Sequence, residues 1–197
     1  MFIFGVIFAL VAGILFGLIG PTTKIAYNAG APVALVIFLR YAIASIIILP
    51  FIPSQNNLLD EFRKNLKFFV AISTGSIFLT LGLLTSVIFI EVSLTILIFC
   101  LYPIYVLIYS IVIDKEKILS SVKILFLITF IGIILVVGPS FKVINLLGIA
   151  LAVVASLGAT SMIVINQKMS FKKISPIPIN IFINIFNTFF FFIILKI

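Results

Sequence analysis

Histidine is absent from the 197 residues, cysteine occurs once, and aspartate and glutamate together number five. A single cysteine, Cys100, cannot form a disulfide within the chain, and inside an apolar run it is expected to act as a small buried hydrophobe. Zinc sites of the Cys/His type and catalytic dyads built on histidine have no residues to form from. No metal and no cofactor is therefore expected. Charge is scarce as well. Only 9% of the residues are charged and 64% are hydrophobic, against roughly 25% charged in a soluble domain. No soluble core absorbs that much apolar side chain at this length. There is no HExxH, no GxSxG and no intramembrane aspartate, so an enzyme is not expected. Without a P-loop, direct ATP coupling has no support.

What is present is a series of apolar runs, at about 2–28, 33–52, 67–89, 92–113, 122–139, 144–166 and 177–197. Each is near the ~20 residues that carry a helix across a ~30 Å hydrocarbon layer. Barrel strands would be about ten residues long and alternating. The expected class is an all-α integral membrane protein of about seven transmembrane helices, with the lipid bilayer as its first partner. The stretch GLIGPTTKIAYNAGAP, residues 17–32, leaves one end open. The first helix either stops at Gly20 or passes Pro21 and reaches Asn28.

The net charge of +8 is spread over short segments between the runs. That is a pattern of membrane topology, and nucleic acid is not an expected partner. Arg63, Lys64, Lys67, Lys115, Lys117, Lys123, Lys168, Lys172 and Lys173 fall on one side; Lys24, Lys142 and Lys196 fall on the other. By the positive-inside rule the richer side, and the N-terminus with it, is cytoplasmic. The cell membrane is the expected location.

An internal repeat follows. GVIFALVAGILFG begins at Gly5 and GIALAVVASLGAT at Gly148, so the offset is 148 − 5 = 143. Gly5, Ala9, Gly13 and Gly17 place a small residue at every fourth position, as do Gly148, Ala152, Ser156 and Thr160. Such ridges let helix backbones approach closely in lipid, so Gly5, Gly13, Gly17, Gly148 and Ser156 are expected packing positions. Five spans separate the copies, and an odd number inverts the second copy in the membrane, as in many secondary transporters.

AGILFGLIGPTTKIAYNAGAPVALVIFLRYAIAS resembles the opening of an EamA-type protein of the drug/metabolite transporter superfamily. That opening has a small-residue helix, a lysine near its end, a proline soon after and an arginine in the second helix; here these are Gly13, Lys24, Pro32 and Arg40. Pro103 and Glu116 match the proline and following glutamate of the family's fourth helix, and Gly132 and Gly138 match its glycine-bearing fifth. Phe16 stands where the family often has tryptophan. The resemblance implies one five-helix repeat over 1–139 and the first two helices of a second over 144–197. The family has ten helices, and two copies at this period would need 2 × 143 = 286 residues, against 197 here. The resemblance thus implies a truncated member. Its expected function is secondary-active export of a small metabolite or drug-like solute, driven by a proton or substrate gradient. The alternative is a non-transporting remnant, or a half that assembles with other chains, including copies of itself.

Several residues are candidates for a site. Arg40 lies eight residues into its span, where a charge costs about 2.5 kcal/mol or more. It either faces inward and holds an anionic or zwitterionic solute, or snorkels as a fold element. Lys24 is either part of the solute pathway or an interfacial anchor. Ser73, Ser76 and Thr80 share one helical face, Tyr102, Tyr105 and Tyr109 another, and Asn180, Asn184 and Asn187 a third. The serines and tyrosines are pathway candidates, and the asparagines are expected to pack helices. Pro103, Glu116 and Glu91 are gate or structural candidates, Glu91 either as a solvated turn residue or as a proton site at the outer mouth. The phenylalanines at 189–192 are expected to face lipid.

Overall fold

The computed structural model describes residues 2–51, 58–115, 119–137, 145–171, 174 and 176–196. These are helical almost throughout, with no strand among them. In chain order the helices are α1 (Phe2–Gly17), α2 (Ile19–Asn28), α3 (Val33–Ile48, closed by a 3₁₀ turn at Leu49–Phe51), α4 (Leu58–Phe89), α5 (Val92–Phe99), α6 (Tyr102–Val112), α7 (Ser120–Val137), α8 (Leu146–Phe171) and α9 (Pro176–Lys196). Five stretches are long and apolar enough to cross a membrane: Phe4–Asn28, Asp60–Phe89, Val92–Val112, Leu146–Ser170 and Pro176–Lys196; α3 is a shorter apolar helix. A helix satisfies its backbone groups internally, which lipid demands. The chain is an all-α integral membrane protein, and its helices occupy the seven expected runs.

The first helix does not stop at Gly20. Only a turn at Leu18 divides α1 from α2, and Leu18 N–H donates to the Ile14 carbonyl and Thr22 N–H to that of Leu18, both at 3.1 Å. Pro21 therefore removes one donor without ending the run. The stop comes at NAGAP. Gly30 takes φ +87°, its N–H donates to the Tyr27 carbonyl at 2.9 Å, and Ala31 N–H donates to that of Ala26 at 3.0 Å. This is the glycine-ended Schellman cap, with proline following to prevent continuation.

Two other boundaries differ from the expected spans. The fourth run is broken at Cys100 and Leu101, because Pro103 cannot donate to the Phe99 carbonyl one turn back. The chain tightens there, with Leu101 N–H on the Ile98 carbonyl at 3.1 Å. The third helix starts earlier than residue 67. Leu58 opens α4, Asp60 and Glu61 sit in its first turn, and Asn65 (φ −119°, ψ 18°) kinks it at the junction with the apolar part. Acidic residues in a first turn stabilise the helix start.

The most extensive packing is α4 against α8, followed by α3 against α9. The α4–α8 contact is made through glycine. A Cβ on Gly82 would lie 2.5 Å from the Leu151 carbonyl oxygen and 2.7 Å from Ala155 N. A Cβ on Gly158 would lie 2.5 Å from Leu79 N. Gly148 presses on Phe89 and Ile90, and Ala152 and Ser156 are fully buried. At the second interface, Tyr41 of α3 stacks on Phe191 of α9 with centroids 6.1 Å apart. Ser45 Oγ and Thr188 Oγ1 are hydrogen-bonded at 3.1 Å, and the two residues are 143 apart in sequence.

Two expectations are corrected here. The small-residue face of α1 is bare: a Cβ added at Gly5, Gly13 or Gly17 meets nothing within 4 Å. Small residues permit close approach but do not supply a partner, and among the described residues α1 has no helix laid along that ridge as α4 is along α8. The phenylalanine run does not all face lipid either. Phe189, Phe190 and Phe192 are exposed, but Phe191 is fully buried against Tyr41 because it is on the α3 side of the helix.

Gly82→Ala is expected to lower stability by about 1–3 kcal/mol, since its Cβ would strike backbone rather than a movable side chain. Gly13→Ala should stabilise by up to about 1 kcal/mol through helix propensity alone. Thermal unfolding in detergent micelles compares them, and equal shifts would contradict the close approach of α4 and α8.

Candidate functional site

A cavity of about 420 Å³ lies between α1/α2, α4, α5/α6 and α8. Phe16, Gly17 and Gly20 form one wall, Leu79, Leu83 and Leu84 a second, Thr95, Phe99, Cys100 and Tyr102 a third, and Ala159, Met162 and Ile163 the last. The break between α5 and α6 brings Cys100 and Tyr102 to this wall. Three aromatic rings run in a row along it: Phe16 and Phe99 with centroids 6.3 Å apart, then Phe99 and Tyr102 at 5.3 Å. Thr95 Oγ1 is fully buried and lies 3.2 Å from Ser86 Oγ.

A polar cluster joins α3, α4 and α9. The Tyr41 hydroxyl lies 2.7 Å from Ser76 Oγ and 2.6 Å from Thr80 Oγ1. Asn187 Nδ2 donates to Ser76 Oγ at 2.7 Å. All four side chains are buried. In a low dielectric such bonds strengthen, and leaving a member unpaired costs about 1–3 kcal/mol. Three buried oxygens have no hydrogen-bond partner among the described residues: Ser73 Oγ, Ser156 Oγ and Asn187 Oδ1. At the far end of α8, Lys168 Nζ donates to the Tyr109 hydroxyl at 2.7 Å and lies 5.2 Å from that ring's centroid, tying α8 to α6.

The model of the EamA-like transporter family matches residues 3–138. The chain belongs to the EamA-like transporter family. No curated protein and no solved structure matches it. The match spans α1 to the end of α7, so the EamA-like part contributes three cavity walls, and α8, beyond it, contributes the fourth.

Within this EamA-like chain the candidate residues separate. Tyr102 is on the cavity wall, while Ser76 and Thr80 are in the cluster behind it and Ser73 is buried one turn earlier on α4. Tyr109 is at the Lys168 contact, and Tyr105, between Tyr102 and Tyr109, is half-buried. Arg40 is half-buried, its Nη1 is buried with no hydrogen-bond partner among the described residues, and it is not among those lining the cavity. Lys24 is exposed on α2. Glu91 precedes α5 in extended conformation (φ −64°, ψ 146°) without a side-chain cap. Pro103 is at the start of α6. Glu116 and Gly138 lie outside the described residues. The asparagine stripe divides: Asn180 and Asn184 donate to their own helix, at 3.0 Å and 2.8 Å, and only Asn187 reaches another.

Sequence reasoning did not single out Phe16, Phe99 and Cys100 as a wall, nor Tyr41 as the centre of the cluster. A tyrosine beside the conspicuous Arg40 was the available signal for Tyr41. Tyr41→Phe is expected to cost about 1–3 kcal/mol, because the buried Thr80 hydroxyl loses its partner and Ser76 Oγ keeps only Asn187 Nδ2. Tyr27→Phe, which removes one bond to the Leu84 carbonyl at 3.1 Å, should cost less. Unfolding midpoints of the two variants check the order.

Proposed function

We propose that this chain is a secondary-active transporter whose solute occupies the cavity between α1/α2, α4, α5/α6 and α8. Transport proceeds by rocking one repeat, 1–139, against an inverted second repeat that begins at 144–197. The observation that carries this reading is the Ser45–Thr188 hydrogen bond. Two antiparallel helices related by a local two-fold axis must set one residue against its own repeat mate where they cross. The offset there, 188 − 45 = 143, equals the offset of the glycine ridges, 148 − 5 = 143. Inverted repeats of this kind place the solute near the bilayer midplane.

The same operation favours the alternative in one respect. The ridge of α8 is filled by α4, whereas the matching ridge of α1 is bare. Its mate under the repeat is a helix equivalent to α4, at 201–232 in the same numbering, outside these residues. A helix of the same or another chain laid on that ridge would fit the half-transporter alternative. Export is the proposed direction, with a proton or substrate gradient as driving force and Glu91 the acid nearest the outer turn. The nine-to-three distribution of basic residues supports a cytoplasmic N-terminus, and the cell membrane is the proposed location.

Orientation is tested with Asn56→Cys in a Cys100→Ala background. An impermeant maleimide should leave the introduced thiol unlabelled on intact cells and label it once the membrane is opened; strong labelling of intact cells would reverse the topology. Activity is tested in proteoliposomes loaded with a panel of radiolabelled amino acids and uncharged drugs. Gradient-dependent efflux above that of empty liposomes is expected. Efflux that appears only after three closing helices of a ten-helix EamA-like member are appended would favour the half-transporter reading, and none in either case would sink the proposal.

A further inference from the structure

The cavity has a chemical character of its own. Among the described residues its lining contains no charged one: the polar contributions come from Thr95, Cys100 and Tyr102, and everything else is apolar. Thr95 is already beside Ser86 Oγ at 3.2 Å. The conspicuous charges of this half of the chain, Lys24, Arg40 and Glu91, are not on the wall. A charged solute entering here would shed its hydration and meet no counter-charge, which is strongly unfavourable in a low dielectric.

The wall is also shaped. Phe16, Phe99 and Tyr102 present three rings in sequence, tilted by 33° and 43° to one another. A further flat ring gains offset or edge-on contact with such a row beyond its area burial. Beside Phe16 on the same wall, Gly17 leaves backbone bare, and the position of a Cβ there is open space, whereas Gly20 packs against Val92. The volume of about 420 Å³ is within the range of drug-sized sites.

We propose that the cavity binds an uncharged aromatic solute of two or three rings, and that Arg40 and Lys24 take no part in holding it. That such a solute is also carried across the membrane rests on the transporter reading, but its binding can be measured without transport.

Cys100 is the chain's single cysteine and lies on the wall, so its alkylation reports occupancy. The protein is placed in phosphatidylcholine nanodiscs and treated with N-ethylmaleimide, with mass spectrometry as the readout. The probes are N-phenyl-1-naphthylamine, its anionic relative 8-anilino-1-naphthalenesulfonate and the chain alcohol 1-hexadecanol, at equal membrane-bound concentrations. Protection scales as one plus ligand over Kd, so at a few times Kd the neutral probe should slow alkylation about fivefold. The anionic relative and the alcohol should leave it almost unchanged. Gly17→Leu, which fills the open space, should abolish protection, whereas Gly13→Leu, on the same helix outside the cavity, should keep it. Fluorescence of the neutral probe above that of empty nanodiscs, present in Gly13→Leu and lost in Gly17→Leu, gives the same answer without the thiol. Equal protection by the anionic probe, protection by hexadecanol as for a lipid-tail groove, or no binding of the neutral probe by either readout overturns the proposal. Binding without flux would instead overturn the transporter reading, and flux of an anionic solute without neutral-probe binding would leave that reading standing and this one refuted.

Discussion

The close approach of α4 and α8 is the constraint on which the other helices depend. In lipid, apolar surface gains nothing by leaving one hydrocarbon environment for another, so helices associate through tight contact. Here Gly82 and Gly158 bring backbone against backbone, with no room for a Cβ on either. Once α8 is fixed on α4, its remaining faces have defined neighbours. Ala155 and Ala159 pack with Leu83 and Phe99, and Ala152 packs with Ile90 and Leu94. Ala159, Met162 and Ile163 then become a cavity wall because α1/α2 does not close over them.

Polar groups and the cavity are separated by this arrangement. The hydroxyls of Tyr41, Ser76 and Thr80 and the amide of Asn187 are consumed in holding α3, α4 and α9 together. What remains for a solute is apolar surface with an aromatic row. The residues that are most polar in the sequence are thus not the ones at the cavity, and the distinction follows from hydrocarbon leaving a buried hydroxyl few partners other than another helix.

Much of the fold was legible because hydropathy and small-residue spacing act locally. The seven runs follow from properties within one helix, and of the two ends open to the first helix the structure takes the later, at NAGAP. The reading failed where a second helix decides the outcome. The ridges of α1 and α8 have the same pattern, yet only one has a partner. Phe191 differs from its neighbours in being fully enclosed against Tyr41, whereas Phe192 touches Phe38 of α3 and stays partly exposed. Arg40 drew notice for its charge, while its neighbour Tyr41 became the centre of the cluster through Ser76, 35 residues away. Cys100 reached the cavity because a proline three residues later broke its helix.

The pairing of α3 with α9 as repeat mates is the claim that joins fold to function, and cross-linking tests it most directly. Ser45→Cys and Thr188→Cys, combined with Cys100→Ala, are oxidised in native membranes and the digested protein is examined by mass spectrometry. The account predicts an intrachain disulfide between the two introduced thiols in most molecules, while a control pair one helical face away, Ile46→Cys with Thr188→Cys, stays reduced. Failure of the first pair to link, or links found only between separate chains, would contradict it.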